Sequence, residues 1–505
     1  MNKKRLELPV LGASRPGVAD AALGAVAGAY ARVAVVTLGC DKNTVDSERM
    51  MAQLAGAGAD VGARVGDADV IVINTCGFIE TAKEESIEAI LDAVRLKQEG
   101  RVRAVVAMGC LVQRYKKDLE AEIPEVDAFL GLTEAQQLPS VLRDARILPD
   151  AAPLMERPLR LLSTDTPHTS YLKISEGCDH SCAFCAIPLM RGKHRSTPVE
   201  RLVAEARELA ARGVVELNIV SQDTTWYGRD LQRGIEPGAD DYFIGRLAGA
   251  ARAQAASAGS ASRRGLLPDL LQALLAETDI PWLRLFYLYP SGIRQDLVDL
   301  IAAQPRIVRY IDMPIQHGAD RILTAMRRPE RARTIRERVA WLRDAVPDVA
   351  LRTTVIVGFP GETEDDFEAM LDLLDELRFD HVGAFAYSAE EDTLAATLPD
   401  RVSDAVKRER LERLLDLQRA IAQEKNEARI GSTVRALIDR VDSRTSQVDG
   451  TEALVSAAVA RAQFQAIEVD GVIHIPEAAG LVPGEFVDVR ITEAIDQDLV
   501  GVVQA

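Results

Sequence analysis

Short apolar runs rich in β-branched residues alternate with longer amphipathic segments along this 505-residue chain. Three of the runs lie between residues 32 and 110, and six lie between residues 171 and 388. Runs of this length and composition are typical of buried strands, whereas the segments between them have the period of a helix. A strand–helix–strand order joins parallel strands through right-handed crossovers. The sequence therefore predicts two parallel-sheet α/β units.

Each of the first three runs ends at a cysteine. Cys40, Cys76 and Cys110 follow one another at intervals of 36 and 34 residues. Because the carboxyl ends of parallel strands meet at one edge of a sheet, we expect the three thiols to converge. A single cysteine in such a place is more often an ordinary buried side chain. Three at successive strand ends favour a three-cysteine iron–sulfur site.

The other three cysteines, Cys178, Cys182 and Cys185, lie within eight residues at the spacing CxxxCxxC. Three thiolates on one loop can hold three irons of a 4Fe-4S cubane and leave the fourth iron open to a small molecule. A zinc site would need a fourth ligand, and the nearby candidate is His180 inside the loop itself. Disulfides are disfavoured because six cysteines are few for this length and the amino terminus lacks a secretory signal.

The six later runs predict an incomplete TIM-like (βα)6 barrel, in which the catalytic rim lies at the carboxyl ends of the strands. The CxxxCxxC loop follows the first of these strands, which places it on the rim. Thr363, followed by three acids, is the expected N-cap of the last long helix of this unit. The strand ends supply further pocket candidates: Gln222, Asp223, Tyr289, Gln316, His317, Gly358, Gly361, Glu362 and Ser388.

Several stretches of the chain closely resemble the radical S-adenosylmethionine (SAM) methylthiotransferases. They include "TLGCDKNTVDSERM", "INTCGFIETAKEESI", "EGCDHSCAFCAIPLMRGKHRSTP", "YIDMPIQHGADRIL" and "LRTTVIVGFPGETEDDF", and the resemblance covers residues 31–505. It implies two 4Fe-4S clusters, one on each set of cysteines, with SAM at the open iron of the second. It also implies SAM neighbours among Gly358, Glu362, Gln316 and Gln222. A helix start that contacts no ligand is the alternative for the "VGFPGET" turn.

The tail after residue 428 shows short strand-like runs between Gly and Asp turns, which predict a small β-barrel. Its position resembles that of the TRAM domain of the same family. Residues 431–505 contain five arginines and no lysine against twelve acids, a formal charge of −7, and their only aromatic residues are Phe464 and Phe486. Such a surface disfavours transfer RNA and attracts a basic protein. Acidity also serves solubility alone in many proteins.

The resemblance implies methylthiolation of an aspartate β-carbon in the basic small-subunit ribosomal protein twelve. SAM would serve both as methyl donor and as source of a 5'-deoxyadenosyl radical. The radical is needed because the C–H bond of the aspartate β-carbon is unactivated. An electron donor such as flavodoxin or ferredoxin is implied as well. The alternative within the family is methylthiolation of isopentenyladenosine in transfer RNA. A two-cluster electron carrier and a ribosome-binding factor without catalysis are the alternatives from other classes.

Composition shifts predict the division of the chain. We expect an amino-terminal extension over 1–30, a first cluster domain over 31–147, a radical-SAM core over 164–425 and a TRAM-like β-barrel over 428–505. The Ala-, Gly- and Ser-rich stretch 229–265 interrupts the core and is predicted to be a surface insertion. No stretch approaches the length of a membrane span, and the sparse cysteine usage is typical of a cytoplasmic protein.

Overall fold

The computed structural model describes residues 31–149, 159–162, 166–232, 266–448 and 451–504. The predicted extension 1–30 lies outside these ranges, as does most of the predicted insertion 229–265. Only the short helix Arg229–Gln232 at the start of that insertion is described. No helix in the described part of the chain has both the length and the apolarity needed to cross a bilayer.

The first unit is a parallel sheet of five strands in the order β2-β1-β3-β4-β5. Its strands are β1 Arg32–Thr37, β2 Asp60–Val61, β3 Val70–Thr75, β4 Ala104–Gly109 and β5 Ala128–Leu130. The helices α1 Asp41–Gly56, α2 Glu80–Gln98 and α3 Cys110–Glu122 connect successive strands, and α4 Leu138–Asp144 follows β5. The three predicted strands are the central ones, and β2 and β5 add the two edges.

Both faces of this first sheet are covered. Val33 and Val35 of β1 pack into one apolar cluster. Ala34 and Val36 of the same strand pack into another on the opposite face. A strand buried on both faces needs apolar residues at every position, which explains why the runs before the first three cysteines are continuous rather than alternating.

The second unit is an open sheet of six strands in the order β13-β12-β11-β10-β9-β6. All neighbouring strands in it are parallel. They are β6 Thr169–Lys173, β9 Glu216–Val220, β10 Trp282–Leu285, β11 Ile307–Asp312, β12 Ala350–Val357 and β13 His381–Ala386. Five of the six predicted runs contain one of these strands whole, and the first run, which begins at Tyr171, overlaps the end of β6, so the predicted partial barrel is confirmed.

Helices follow the strands of the second unit on its outer side. They are α5 Ile187–Arg191, α6 Val199–Ala211, α7 Arg229–Gln232, α8 Leu267–Glu277, α9 Gln295–Ala303, α10 Asp320–Ala325, α11 Ala332–Ala345, α12 Glu364–Leu377 and α13 Asp404–Glu427. Between β6 and α6, the antiparallel pair β7 Ser175–Glu176 and β8 Arg195–Ser196 closes the base of the CxxxCxxC loop. That pairing fixes both ends of the loop to the rim of the barrel.

The third unit is a closed barrel of five strands in the order β14-β15-β16-β18-β17. The strands are β14 Thr433–Val448, β15 Thr451–Ala462, β16 Ile473–Ile475, β17 Phe486–Ile495 and β18 Asp498–Val503. Its interior is apolar and is filled by small residues such as Ala436, Ala458 and Ala460. The predicted small β-barrel is therefore confirmed.

Buried ion pairs join the units. Between the first and second units, Arg160 pairs with Glu48 of α1 and with Glu205 of α6. Between the second and third, Arg461 of β15 pairs with Glu216 of β9 at 2.6 Å. All five side chains are at most 4% exposed. Ion pairs taken out of water require close geometry to be tolerated, so these contacts fix the relative placement of the units.

Candidate active site

The carboxyl edge of the first sheet brings the segments of Cys40, Cys76 and Cys110 together. Cys40 precedes α1 as its N-cap, and Cys110 is the first residue of α3. Gly39 has φ +92°, and a Cβ at that position would lie 2.7 Å from Cβ and 2.8 Å from Sγ of Cys76. The backbone before Cys40 therefore lies directly against the Cys76 thiol, a contact that only glycine permits.

Asn43 holds the first cysteine site together. Its side chain is fully buried and donates from Nδ2 to the carbonyls of Leu38, at 2.7 Å, and Thr75, at 3.2 Å. Its Oδ1 accepts from the thiol of Cys110 at 3.8 Å and from Nη2 of Arg191 at 2.6 Å. One amide thus contacts the ends of β1 and β3, the cysteine that starts α3, and a residue of the second unit.

Burial keeps two thiols of this site, those of Cys76 and Cys110, neutral in the protein alone. It raises the pKa of Cys110 to about 12, against the opposing charge of Arg191. It also raises the pKa of Cys76. Thiolates are the form that binds metal, so the protons of these cysteines must leave when a cluster binds. A cluster that binds here would displace these protons; without it, the two buried thiols stay protonated and are poor nucleophiles.

The CxxxCxxC loop forms the second cysteine site on the rim of the barrel. The N–H of Cys178 donates to the carbonyl of Gly192 at 3.0 Å, and that of Cys185 donates to the carbonyl of Cys182 at 3.2 Å. Each of these cysteines is partly exposed. Burial raises the pKa of both Cys178 and Cys185 to about 12. In the first site, by contrast, Cys40 is exposed and the other two cysteines are buried.

Aromatic and cationic side chains surround the second site. The ring of His180 stacks on that of Tyr289, with centroids 4.0 Å apart and planes 7° from parallel, and its Nε2 lies 2.6 Å from Asp223 Oδ2. The guanidinium of Arg328 lies 3.7 Å from the centre of the Tyr289 ring. Its Nη1 is 3.9 Å from Sγ of Cys182. His180 is therefore held away from the metal-ligand role that a zinc site would require.

The donor sets fit iron–sulfur clusters better than single metal ions. Within the described ranges, no three or more His, Cys, Asp or Glu side chains are gathered around one point as ligands of one ion. In a cubane each thiolate binds a different iron, so its ligands stay further apart than those of zinc. Two sets of three thiols, with the one histidine of the loop engaged elsewhere, match two clusters with one open iron each.

The predicted SAM neighbours lie at the carboxyl ends of neighbouring strands, and the structure shows what each contacts. The carboxylate of Glu362 accepts from the N–H of Gly358 at 2.8 Å and from Nη1 of Arg410 at 2.7 Å. Gly358, with φ +73°, lies against the stem of Lys407. Gln316, with φ +72°, forms a β-bridge with Val355. Gly358 and Glu362 thus have structural partners of their own, and their role toward SAM stays a prediction.

Gln222 and Asn218 differ from these residues in having free hydrogen-bonding atoms. Oε1 of Gln222 is buried without a hydrogen-bond partner, and so are both polar atoms of Asn218 in β9. Buried amides without partners are costly, which makes these two the side chains best placed to receive a polar ligand. Gln222 was predicted from its position after a strand. Asn218 was not, because a single polar residue inside an apolar run gives no sequence signal.

The sequence also failed to single out Asn43, Arg191 and Arg328. Asn43 and Arg191 lie in the motifs that carry the cysteines, whereas Arg328 lies far from them in the sequence. The contacts that matter join distant segments: Arg191 and Asn43 are 148 residues apart, and Arg328 and Cys182 are 146 residues apart. Only the tertiary structure reveals such contacts. The spacing of Asn43, three residues after Cys40 on the first turn of α1, was the one local hint.

Three family models match successive parts of the chain. "Uncharacterized protein family UPF0004" matches residues 32–131, "Radical SAM superfamily" matches residues 172–374 and "TRAM domain" matches residues 430–503. The matches follow the three units of the structure in order. The match to the second unit ends at residue 374, before β13 and α13 of that unit.

Curated relatives match nearly the whole chain. A protein of Anaeromyxobacter sp. (strain K), named ribosomal protein uS12 methylthiotransferase RimO, is 44% identical over 94% of this chain and 93% of its own length. A protein of the same name from Desulforudis audaxviator is 42% identical over 93% of this chain and 96% of its own length. This chain belongs to the RimO family of radical-SAM methylthiotransferases. It is therefore an enzyme whose cofactors are SAM and two 4Fe-4S clusters.

A solved structure supports the fold of the RimO-family chain. The radical SAM methyltransferase TsrM from Kitasatospora setae, determined with cobalamin and a [4Fe-4S] cluster bound, aligns with a TM-score of 0.50 at 13% identity. The alignment covers 83% of this chain and 82% of TsrM. At this identity the similarity concerns architecture alone.

Proposed function

We propose that Cys40, Cys76 and Cys110 hold one cluster of this methylthiotransferase and that Cys178, Cys182 and Cys185 hold the other. The observation that carries this assignment is the pair of three-thiol sites, which lie in adjoining units and have no fourth ligand among the contacts described above. When bound, the clusters and SAM supply one-electron chemistry that removes a hydrogen from an unactivated carbon and delivers a methylthio group.

The side chains around the two sites supply placement and shielding. Tyr287 follows β10, has φ +58° and contacts residues of the first unit. Nζ of Lys42 lies 3.3 Å from the centre of its ring, and its hydroxyl is 3.4 Å from Asp41 Oδ1. A non-glycine residue in this strained conformation persists only where the surroundings hold it. We infer that it seals the junction between the first site and the barrel against water.

The substrate is an aspartate of ribosomal protein uS12, and we propose that the acidic third unit contributes to its docking. The acids of that unit include a set that is exposed on the described surface: Asp442, Glu468, Glu477, Glu485, Asp488, Glu493 and Asp496. The buried Arg461 is already paired with Glu216 and Asp439, so it does not offset that surface charge. A negative surface of this kind attracts a basic protein and repels phosphate.

The aromatic residues of the third unit do not form a surface on which bases could stack. Phe486 packs edge-on against Trp282 with ring centroids 4.8 Å apart. Phe464 lies in the same cluster, under the guanidinium of Arg429 at 4.2 Å. Both rings are used in docking the third unit onto the amino ends of the barrel strands. Single-stranded RNA binding on such barrels relies on exposed aromatic rings, so this observation favours the protein substrate.

We further propose the remaining features of the assignment. The domains extend over 31–147, 164–425 and 428–505, with the insertion at 229–265. The electron donor is a low-potential protein such as flavodoxin or ferredoxin, and the reaction takes place in the cytoplasm. Gly358, Glu362, Gln316 and Gln222 are proposed to border SAM, with Gln222 the best placed because its buried Oε1 lacks a partner.

Mass spectrometry of uS12 and of bulk transfer RNA, from cells with and without this gene, tests the function. We expect an increment of roughly 46 Da, the mass of CH2S, on a uS12 aspartate only when the gene is present. Complementation with a variant in which Cys40, Cys76 and Cys110 are alanine should not restore it. Loss of methylthioadenosine from transfer RNA with uS12 unchanged would instead establish the transfer-RNA activity.

A further inference from the structure

Arg191 belongs to the second cysteine site by its backbone. It is the last residue of α5, which begins two residues after Cys185. The next residue, Gly192, accepts the N–H of Cys178 at 3.0 Å. The peptide segment around Arg191 is therefore one wall of the CxxxCxxC loop, and its placement is tied to two of the three cysteines there.

The side chain of Arg191 belongs to the first cysteine site. It is 1% exposed and reaches across the boundary between the units. Nη2 donates to Oδ1 of Asn43 at 2.6 Å, the same oxygen that accepts from the thiol of Cys110 at 3.8 Å. The guanidinium thus lies one shared acceptor away from a cluster cysteine of the other unit.

Two carboxylates also bind this guanidinium. Nη1 donates to Oε1 of Glu176 at 2.7 Å, and Oδ2 of Asp46 lies 3.1 Å from Nη2. Lys173 pairs with both of these carboxylates. The network therefore carries two cations and two anions, all nearly buried, and the guanidinium joins it to Asn43 by a hydrogen bond.

A buried cation next to a redox centre favours the more negative, reduced state of that centre, because the interaction is screened less than in water. Cluster potentials respond to local charge, hydrogen bonds and solvent exposure. The charge of Arg191 acts on both Cys76 and Cys110. Its removal should therefore make the first cluster harder to reduce.

We propose that Arg191 is a positioning residue by which the radical-SAM unit sets the reduction potential of the cluster in the first unit. It holds Asn43 against Cys110 and places one positive charge beside the buried thiolates. The inference rests on the proposed function, because it requires that Cys40, Cys76 and Cys110 bind a cluster. The two sites are then coupled through a single side chain whose own backbone borders the second site.

The test uses the full-length chain with Cys178, Cys182 and Cys185 replaced by alanine, so that only the first cluster remains. After anaerobic reconstitution, the potential of this cluster is measured by a redox titration followed by electron paramagnetic resonance. We expect Arg191→Gln to shift the potential to a more negative value. Arg191→Lys, which keeps the charge, should retain most of the parent potential. Equal shifts in the two variants would overturn the proposal.

Two further variants separate charge from damage to the fold. Glu176→Gln removes one negative charge and keeps an acceptor for Arg191, so it should shift the potential in the opposite, more positive direction. Arg49→Gln removes a buried arginine at the same boundary, whose Nη2 lies 2.8 Å from Glu205, and should leave the potential unchanged. If Arg191→Gln does not fold, Glu176→Gln decides the question, because an unchanged potential in it contradicts the proposal.

The outcomes distinguish this inference from the proposed function. If the parent chain without the three loop cysteines binds no cluster, the assignment of Cys40, Cys76 and Cys110 fails. If it binds a cluster and both Arg191→Gln and Glu176→Gln leave the parent potential unchanged, the assignment stands and the role of Arg191 is refuted.

Discussion

At the scale of single residues, Gly39 is a position where the backbone lies directly against a proposed cluster ligand, Cys76. Its φ of +92° and the Cys76 atoms within 3 Å of any added Cβ leave no room for a side chain. We expect Gly39→Ala to displace the Cys76 thiol and to abolish cluster binding at the first site while the second site keeps its cluster. Iron counting after reconstitution should give about half the parent content.

Gly62 provides the matched control for that prediction. It lies in the same unit with φ +88°, and nothing lies within 4 Å of the Cβ it would gain. Gly62→Ala should carry the cost of backbone strain, about 1 kcal/mol, but bind the same amount of iron as the parent. Equal loss of iron in both variants would show that strain, not the contact with Cys76, is responsible.

The two sets of cysteines should have separable roles. Replacing Cys178, Cys182 or Cys185 by alanine should remove the paramagnetic signal that responds to SAM. Variants of Cys40, Cys76 or Cys110 should keep that signal and still form 5'-deoxyadenosine, but they should yield no methylthiolated uS12. Product analysis by mass spectrometry checks both expectations, and methylthiolated product from the triple variant of the first set would refute the division.

At the scale of the elements, the start of α12 shows a local sequence signal that the structure confirms. Oγ1 of Thr363 accepts the N–H of Asp366 at 3.3 Å, and Oδ2 of Asp366 accepts the N–H of Thr363 at 2.8 Å. This reciprocal pair satisfies two N–H groups that the helix itself leaves free. The cap also fixes the turn that carries Gly358 and Glu362 directly before it.

Removal of that cap should destabilise the barrel unit. We expect Thr363→Ala to lower the free energy of unfolding by about 1 kcal/mol, because Asp366 loses its partner at the helix start. Thr363→Ser keeps the hydroxyl and should stay close to the parent. Urea denaturation of the cluster-free protein measures both, and equal midpoints for the alanine and serine variants would contradict the capping role.

Strand β15 shows where local signals are insufficient. Its sequence from Thr451 to Ala462 is rich in alanine, the best helix former, and it was not predicted as a strand. In the structure it pairs with β14 along its length and with β16 at its end. Small side chains fit the interior of a narrow barrel, so packing within the barrel outweighs the intrinsic helical preference.

At the scale of the whole molecule, buried glutamates at the boundaries between units make the assembly sensitive to acid. Burial alone would raise the pKa of Glu216, but Arg461 and Arg284 outweigh it and lower the pKa to about 2. Arg49 and Arg160 likewise outweigh burial and lower the pKa of Glu205 to about 2. Each folded value lies below the ordinary 4.5. Their stabilisation is therefore complete above about pH 4.5 and is lost as the pH falls toward 2.

Urea denaturation between pH 6 and pH 3 should reveal this dependence. We expect stability to fall below about pH 4.5, by about 2 kcal/mol for each such carboxylate at pH 3. Glu216→Gln should be less stable than the parent at pH 6 and show a shallower loss in acid. Glu376→Gln, at an exposed pair with Arg336, should keep the parent slope. An unchanged slope in Glu216→Gln would contradict the assigned role.

The charge of the third unit gives a prediction about association. Binding of uS12 should weaken as salt is raised, because attraction between an acidic surface and a basic partner is screened over about 8 Å at physiological ionic strength. Reversal of two exposed acids, Glu477→Lys with Asp488→Lys, should weaken binding and flatten its salt dependence. Glu337→Lys with Asp344→Lys, two exposed acids on α11 of the barrel, changes the net charge by the same amount and is the control. Equal effects of the two changes would argue against docking on the third unit.

The sequence by itself determined where the core strands lie along the chain and which cysteines follow them. Apolar runs ending in Cys40, Cys76 and Cys110, the CxxxCxxC loop and the six later runs fixed two parallel sheets and both sets of thiols, because period and spacing are local properties. It also predicted Thr363 as the N-cap of α12 and showed that residues 431–505 are acidic.

The tertiary structure alone decided which side chains surround those thiols. Arg191 meets Asn43 only after the first two units have packed, and Arg328 meets Cys182 only after the barrel has formed, across separations of 148 and 146 residues. It also decided that Glu362 is engaged by Gly358 and Arg410, while the acceptor of Gln222 is left free. Contacts between distant segments depend on how buried charges and amides find partners in three dimensions, and no local pattern encodes that choice.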